Sequence, residues 1–276
     1  MKRTSILSAL IVTASFTPVL AQDSQRTFET DAAASFEKAI ADYDIPGLIV
    51  GVTRNGQHHF YQTGLASRED RLPVTPDTLF ELGSISKIFN VTLAALAEER
   101  GKVSLDAPVS TYLAPLQGTP AGALTLMDLA THHSGGLPLQ VPSEVADVDQ
   151  LVDWLADWQP SEPGARSYSN ISIGLLGRIT SDAMGMSYTD ALQTDLLPAL
   201  GLTNTWIDVP DDAAASYAYG YDRKTNAPIR VTPGVLDDEA YGVKSSARDM
   251  LTLLDVELAN ANVSAEIQDA VSRTQT

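Results

Sequence analysis

Polar and small residues surround apolar Phe36 and Ile40, four positions apart, in the segment TDAAASFEKAIADY over residues 30–43. One face of a helix collects such a pair, and residues 44–46, closing on Pro46, end it. The pattern then turns extended. Residues 48–54 form a β-rich run, Asn55-Gly56 is a strong two-residue hairpin signal, and residues 58–63 form the returning run. From residue 84 to 100 the spacing is helical again, with Ile85, Ile88, Phe89, Leu93 and Leu96 inside and Gly101 just past the end. That helix is expected to be buried on most sides. Beyond it come helical pieces parted by turn clusters such as Gly118-Thr119-Pro120, Gly135-Gly136 with Pro138, residues 160–164, and Pro210-Asp211-Asp212. Strand-like sequence is scarce after residue 70, and no internal repeat is evident. The pattern therefore predicts a mixed α/β (α+β) chain whose hairpin needs further sheet partners.

The N-terminus has a separate meaning. Basic Lys2 and Arg3, an apolar stretch over residues 6–12, and Val19-Leu20-Ala21 match a signal peptide over 1–21, cleaved near Ala21. Thr13, Ser15, Thr17 and Pro18 interrupt the apolar run before it reaches the length of a membrane span. A periplasmic protein is expected, with no membrane attachment after cleavage. The chain of 276 residues has no cysteine, which excludes a disulfide framework, a thiolate nucleophile and sulfur ligation. Its formal net charge of -17 would repel nucleic acid. That acidity suits a solvated surface.

Ser84-Ile85-Ser86-Lys87 fits S-x-x-K, a spacing that stacks serine and lysine on one helix face. A serine hydroxyl needs a neighbour to remove its proton, and a desolvated lysine can help. About half an occurrence of this motif is expected by chance, and Ser35-Phe36-Glu37-Lys38 matches as well. The second copy lies in the polar N-terminal helix and reads as a solvated face. Tyr168-Ser169-Asn170 follows the turn Pro163-Gly164-Ala165-Arg166. A tyrosine near positive charge can act as general base or acid, and an asparagine both donates and accepts. Taken alone, the same residues also suit a helix-start aromatic and a cap. His58-His59 and His132-His133 are adjacent pairs, which point to different sides of a helix and lack the spacing of a metal site. They are expected at the surface or in turns.

In combination these segments resemble the serine β-lactamase and penicillin-binding protein superfamily, and among its branches the class C β-lactamases. Leu82-Gly83-Ser84-Ile85-Ser86-Lys87 is similar to the nucleophile segment, and Leu105-Asp106-Ala107-Pro108-Val109 to the stretch after its helix. Residues 124–142, reading LTLMDLATHHSGGLPLQVP, resemble the stretch with a substrate-contacting glutamine, here Gln140. Residues 158–175, with the Tyr168 motif inside, and the segments 217–221 and 241–246 continue the likeness. It implies a serine β-lactamase-like fold, a mostly helical subdomain plus a mixed subdomain with an antiparallel sheet, and a catalytic domain over 22–276. It also implies that Ser84 forms an acyl-enzyme with a small-molecule β-lactam while Lys87 and Tyr168 share the proton work. Asn170 and Gln140 would bind the substrate amide, and Tyr221 would line the pocket. The expected protein is a monomer with no metal and no cofactor.

One departure is large. The family's third motif, K-T-G on a strand beside the pocket, is absent from these 276 residues: Lys224-Thr225 precedes Asn226, and Lys244 precedes Ser245-Ser246. The resemblance then implies an incomplete sheet, a missing final helix, half an oxyanion hole and little activity. Loss of one oxyanion donor typically costs about a hundredfold to a thousandfold in rate. Serine esterases and D-peptidases share the first two motifs, and an inactive homologue is a further alternative.

Overall fold

A computed structural model describes residues 17–275; residues 1–16 of the predicted signal lie outside the described residues. Helix α1 (Thr17–Tyr43) leads into strands β1 (Gly47–Arg54), β2 (Gln57–Ser67), β3 (Leu72–Pro73) and β4 (Leu79–Glu81). A helical stretch follows: α2 (Ser86–Glu99), α3 (Pro120–Ala123), α4 (Leu126–Thr131), α5 (Val148–Asp157), α6 (Asn170–Met184), α7 (Tyr188–Asp190) and α8 (Leu197–Ala199). The last elements are β5 (Thr205–Trp206), β6 (Gly220–Tyr221), β7 (Pro228–Ile229), α9 (Asp237–Tyr241), β8 (Lys244–Ser246), α10 (Ala247–Glu257) and α11 (Ala265–Arg273).

Helix α1 begins well before residue 30, because no glycine or proline interrupts residues 19–43. Pro18 falls in its first turn, where a missing N–H costs nothing. Gln25 ties this helix to the sheet by donating to the Phe60 carbonyl at 2.8 Å. The hairpin forms where the Asn-Gly signal predicts it. Asn55 and Gly56 both have positive φ, 53° and 73°, as a tight primed turn demands, and β1 pairs with β2 from Gly47↔Gly64 to Arg54↔Gln57. Strand β3 adds to the far side of β2. Among the described residues β1 therefore has no strand on its other edge, and a hollow of about 550 Å³ opens between it, Phe80, Ser245 and Leu251.

A second small sheet, β4-β8-β5, forms without a strand signal in the sequence, with β8 central and antiparallel to both neighbours. Strands of two or three residues are too short for a period-2 pattern to register.

Helix α2 organises the interior. Ala94 and Ala97 join one apolar cluster with Leu126, Leu129, Leu155, Ile171 and Ile173. Phe89, Leu93 and Leu96 join another with Leu192, Leu196, Val243, Val256 and Ile267. Apolar residues thus cover α2 on two sides, as its sequence predicts, but Ile85 and Ile88, expected inside, are exposed. Burial of so many side chains at about 25 cal/mol per Å² makes these two clusters the main source of stability.

Candidate active site

Ser84 sits on a 3₁₀ turn, Gly83–Ile85, just ahead of α2. That differs from the predicted start of the long helix at residue 84. Two bonds press the turn against the small sheet: Leu82 N–H donates to the Val243 carbonyl at 2.9 Å, and Val243 N–H donates to Ser86 Oγ at 3.0 Å. The Ser84 side is exposed while Lys87, one turn on, is buried. Lys87 Nζ donates to Ser84 Oγ at 3.3 Å, to Asn170 Oδ1 at 2.8 Å and to the Ala240 carbonyl at 2.9 Å. An ammonium has three donors, and all three meet an acceptor. One short contact radius thus joins α2, α6 and α9 around the serine.

Tyr168 and Asn170 arrive on the start of α6. Ser169 is the N-cap of that helix: its Oγ accepts from Ser172 N–H at 3.2 Å and donates to the Pro138 carbonyl at 2.6 Å. Asn170 N–H donates to the Leu139 carbonyl at 2.8 Å. Loops 132–140 and 161–170 are laced together further back, where Gly135 N–H donates to the Ala165 carbonyl and Glu162 N–H to the Gly135 carbonyl, each at 3.0 Å. Gly136, at φ 122°, lets the loops approach this closely. A Cβ there would lie 2.3 Å from Ser161 Oγ.

Burial alone would push the Tyr168 phenol up, but hydrogen bonding with Ser84 and Lys87 and the charges of Lys87 and Arg166 outweigh it. The net result lies below the ordinary tyrosine value. Lys87 Nζ stands 5.1 Å from the Tyr168 ring centre. A serine, a phenol with depressed pKa and a buried lysine on one spot are groups between which a serine proton can move.

Gln140 is exposed and hydrogen-bonds with Tyr241, whose phenol is raised by burial and by Asp237. Tyr221 is elsewhere. Its hydroxyl accepts from Arg68 N–H at 2.6 Å, its ring lies under the Arg68 guanidinium at 4.7 Å, and it lines a hollow with Asp44 and Pro46. The structure therefore sets Tyr221 apart from the Lys87 contacts and places Tyr241, next in sequence to the Ala240 whose carbonyl receives Lys87, against Gln140. The sequence segment 241–246 carried the available signal.

The second S-x-x-K copy is a solvated face: Ser35 and Lys38 are exposed, and Lys38 pairs with Asp42. Lys224-Thr225 lies in a turn closed on Asp222, and Lys244 is buried in β8, donating to the Ile207 carbonyl at 2.7 Å. Of the histidines, His58 meets Asp255 and His133 meets Thr131. His132 departs from the surface expectation, since it is 6% exposed and packs on Tyr168. Among the described residues no group of three or more His, Asp or Glu could hold a metal ion, and no helix is long and apolar enough to cross a membrane.

A beta-lactamase family profile matches residues 32–276. The chain belongs to the beta-lactamase family. A crystal structure of a class C beta lactamase from Rhodobacter sphaeroides is 75% identical and superposes with a TM-score of 0.87, over 88% of this chain and 70% of that one. The match places the chain in the class C branch. A beta-lactamase from Pseudomonas fluorescens is 39% identical over 245 residues, 88% of this chain and 68% of that protein. A beta-lactamase/D-alanine carboxypeptidase from Pseudomonas syringae is 42% identical, with a TM-score of 0.84 over 91% of this chain and 69% of that one. Against a beta-lactamase from Escherichia coli, 42% identical over 213 residues, the matched part of the chain spans 56% of that protein's length.

Proposed function

We propose that Ser84 is the nucleophile of a β-lactam hydrolase. The observation that carries this is the Lys87 ammonium joining Ser84, Asn170 and the Ala240 carbonyl beside a phenol held below its ordinary value. Ser84 Oγ attacks the lactam carbonyl carbon as its proton passes to the Tyr168 oxygen, with Lys87 stabilising the charge there. The carbonyl–nitrogen bond then breaks, and the ring nitrogen takes that proton. Water attacks the resulting ester, its proton goes to Tyr168 and then to Ser84 Oγ, and the acid is released. Backbone N–H groups at the start of the 3₁₀ turn and α2 favour the oxyanion. Asn170, Gln140 and Tyr241 would hold the substrate amide and shape the pocket. The signal-like residues 1–21 support export to the periplasm, and β-lactam hydrolysis there would contribute to resistance.

Mass spectrometry after exposure to a chromogenic cephalosporin tests this. A covalent increment on the Ser84 peptide, absent in Ser84→Ala, supports the assignment; an unmodified chain with the same fold refutes it. A second reading, D-alanine carboxypeptidase activity, is favoured by the Pseudomonas syringae likeness. Turnover of a D-Ala-D-Ala peptide measured beside the cephalosporin separates the two.

A further inference from the structure

Three successive residues of the Tyr168 segment attach to one residue that no motif singles out, Ser167 to its backbone and Tyr168 and Ser169 to its ring. His132 closes α4 in the left-handed conformation, φ 63° and ψ 28°. Its carbonyl accepts from Ser167 N–H at 2.7 Å, its ring Nδ1 accepts from Ser169 N–H at 3.3 Å, and its ring packs on Tyr168 at 4.6 Å between centroids, tilted by 40°. We propose that His132 is a positioning residue for the acyl-transfer site, setting where the Tyr168 hydroxyl stands relative to Ser84 and Lys87. The proposal rests on the reading of Tyr168 as the group that carries the Ser84 proton.

The geometry goes beyond filling space. Ser169 is fully buried, and its N–H at the entrance to α6 has no helical carbonyl to reach. Without an acceptor that buried N–H would be left desolvated and unpaired, so this position of the segment is favoured while Nδ1 presents a lone pair, beside the bonds of Ser167, the Ser169 hydroxyl and Asn170. A phenylalanine could supply the face against Tyr168 but not that lone pair. The left-handed turn is what lets carbonyl and ring address the same segment, and asparagine tolerates that backbone while placing Oδ1 where Nδ1 stands.

The surroundings keep the lone pair free. Lys87 from α2, Arg166 from the Tyr168 loop, neighbouring His133 and the Tyr168 phenol are the titratable or charged groups facing the ring. Burial, then the Lys87 and Arg166 charges, push His132 down to about 4. An imidazolium would set a donor against the Ser169 donor and release the loop.

Two variants separate the attachments. His132→Asn keeps the acceptor and the backbone but loses the ring; His132→Phe keeps a ring and loses the acceptor. With tyrosines carrying ¹³C at Cζ, and the Tyr168 signal assigned through Tyr168→Phe, the phenol titration is followed in the whole chain. Acylation of Ser84 by a chromogenic cephalosporin is followed by mass. In at least one variant Tyr168 should titrate closer to the ordinary tyrosine value, with acylation slowed about tenfold to a hundredfold, the cost of an ångström-scale misplacement. Urea midpoints show that each variant is folded. A lowered midpoint with the parental Tyr168 titration in both variants overturns the proposal, because a structural role alone would do that. If neither variant folds, His132 is structural and the proposal falls. If the parent is not acylated yet Tyr168 shifts in the variants, His132 positions Tyr168 and the β-lactam reading is the one that fails.

Discussion

Asn90 lies outside the serine group yet holds one wall of it, and its removal has a calculable consequence. It is fully buried on α2, and Nδ2 donates to the Ile173 carbonyl at 2.9 Å and to the Glu239 carbonyl at 2.8 Å. The two bonds are unequal. Ile173 is interior to α6 and keeps its helical donor. Glu239 begins the last turn of α9, and the N–H four residues on, that of Val243, is taken by Ser86 Oγ. Asn90→Ala therefore strips the Glu239 carbonyl of its donor at a cost of about 1–3 kcal/mol, and a lost neutral hydrogen bond adds about 1 kcal/mol. A cavity a few atoms wide adds a further ~1 kcal/mol. Partly offsetting this, Asn90 Oδ1 has no partner in the parent, so its desolvation cost disappears with it. The expected net loss is about 2–4 kcal/mol, read as a lower urea midpoint at unchanged slope. Because Ala240 on the same short helix receives Lys87, Ser84 acylation should fall as well. A stability change under about 0.5 kcal/mol, within the range of an ordinary surface substitution, would refute the account of how α9 is held.

Replacing Tyr168 with phenylalanine removes the proposed proton carrier but leaves the ring on His132, so acylation should drop by about 10²–10⁴ while the urea midpoint stays nearly unchanged; equal acylation would exclude the phenol from the chemistry. Gly136→Ala forces a Cβ to 2.3 Å from Ser161 Oγ at φ 122°, and a loss of about 1–3 kcal/mol is expected, measurable as a lower melting temperature. Burial pushes the Glu239 carboxyl up to about 7 from 4.5, so the native state binds more protons than the unfolded one between those values. Its contribution is full below pH 4.5 and lost as pH rises through 7. Glu239→Gln should therefore match the parent in denaturant midpoint at pH 4.5 and exceed it at pH 8; the opposite ordering would show that Glu239 is stabilised in its charged form.

What the sequence determined by itself is what short-range physics sets. The i, i+3 spacing of Ser84 and Lys87, the Asn55-Gly56 turn, the apolar faces of α2 and the proline at Pro46 act within a turn or two of chain, and each has its place in the structure. The likeness of ordered segments also identified the family. What only the tertiary structure decided is which residues of distant segments meet. Tyr221 and Tyr241 are equally plausible in a list of residues, and β6 carries one to Arg68 while α9 carries the other toward Gln140. His132 looked like a turn residue, and it is one, but the lacing of two loops around Gly135 and Gly136 also buries its ring on Tyr168. The two- and three-residue strands β4, β5 and β8 gain their hydrogen bonds only from partners far along the chain. Local propensity cannot encode such pairings, since their energy exists only after the α2 clusters bring the segments together.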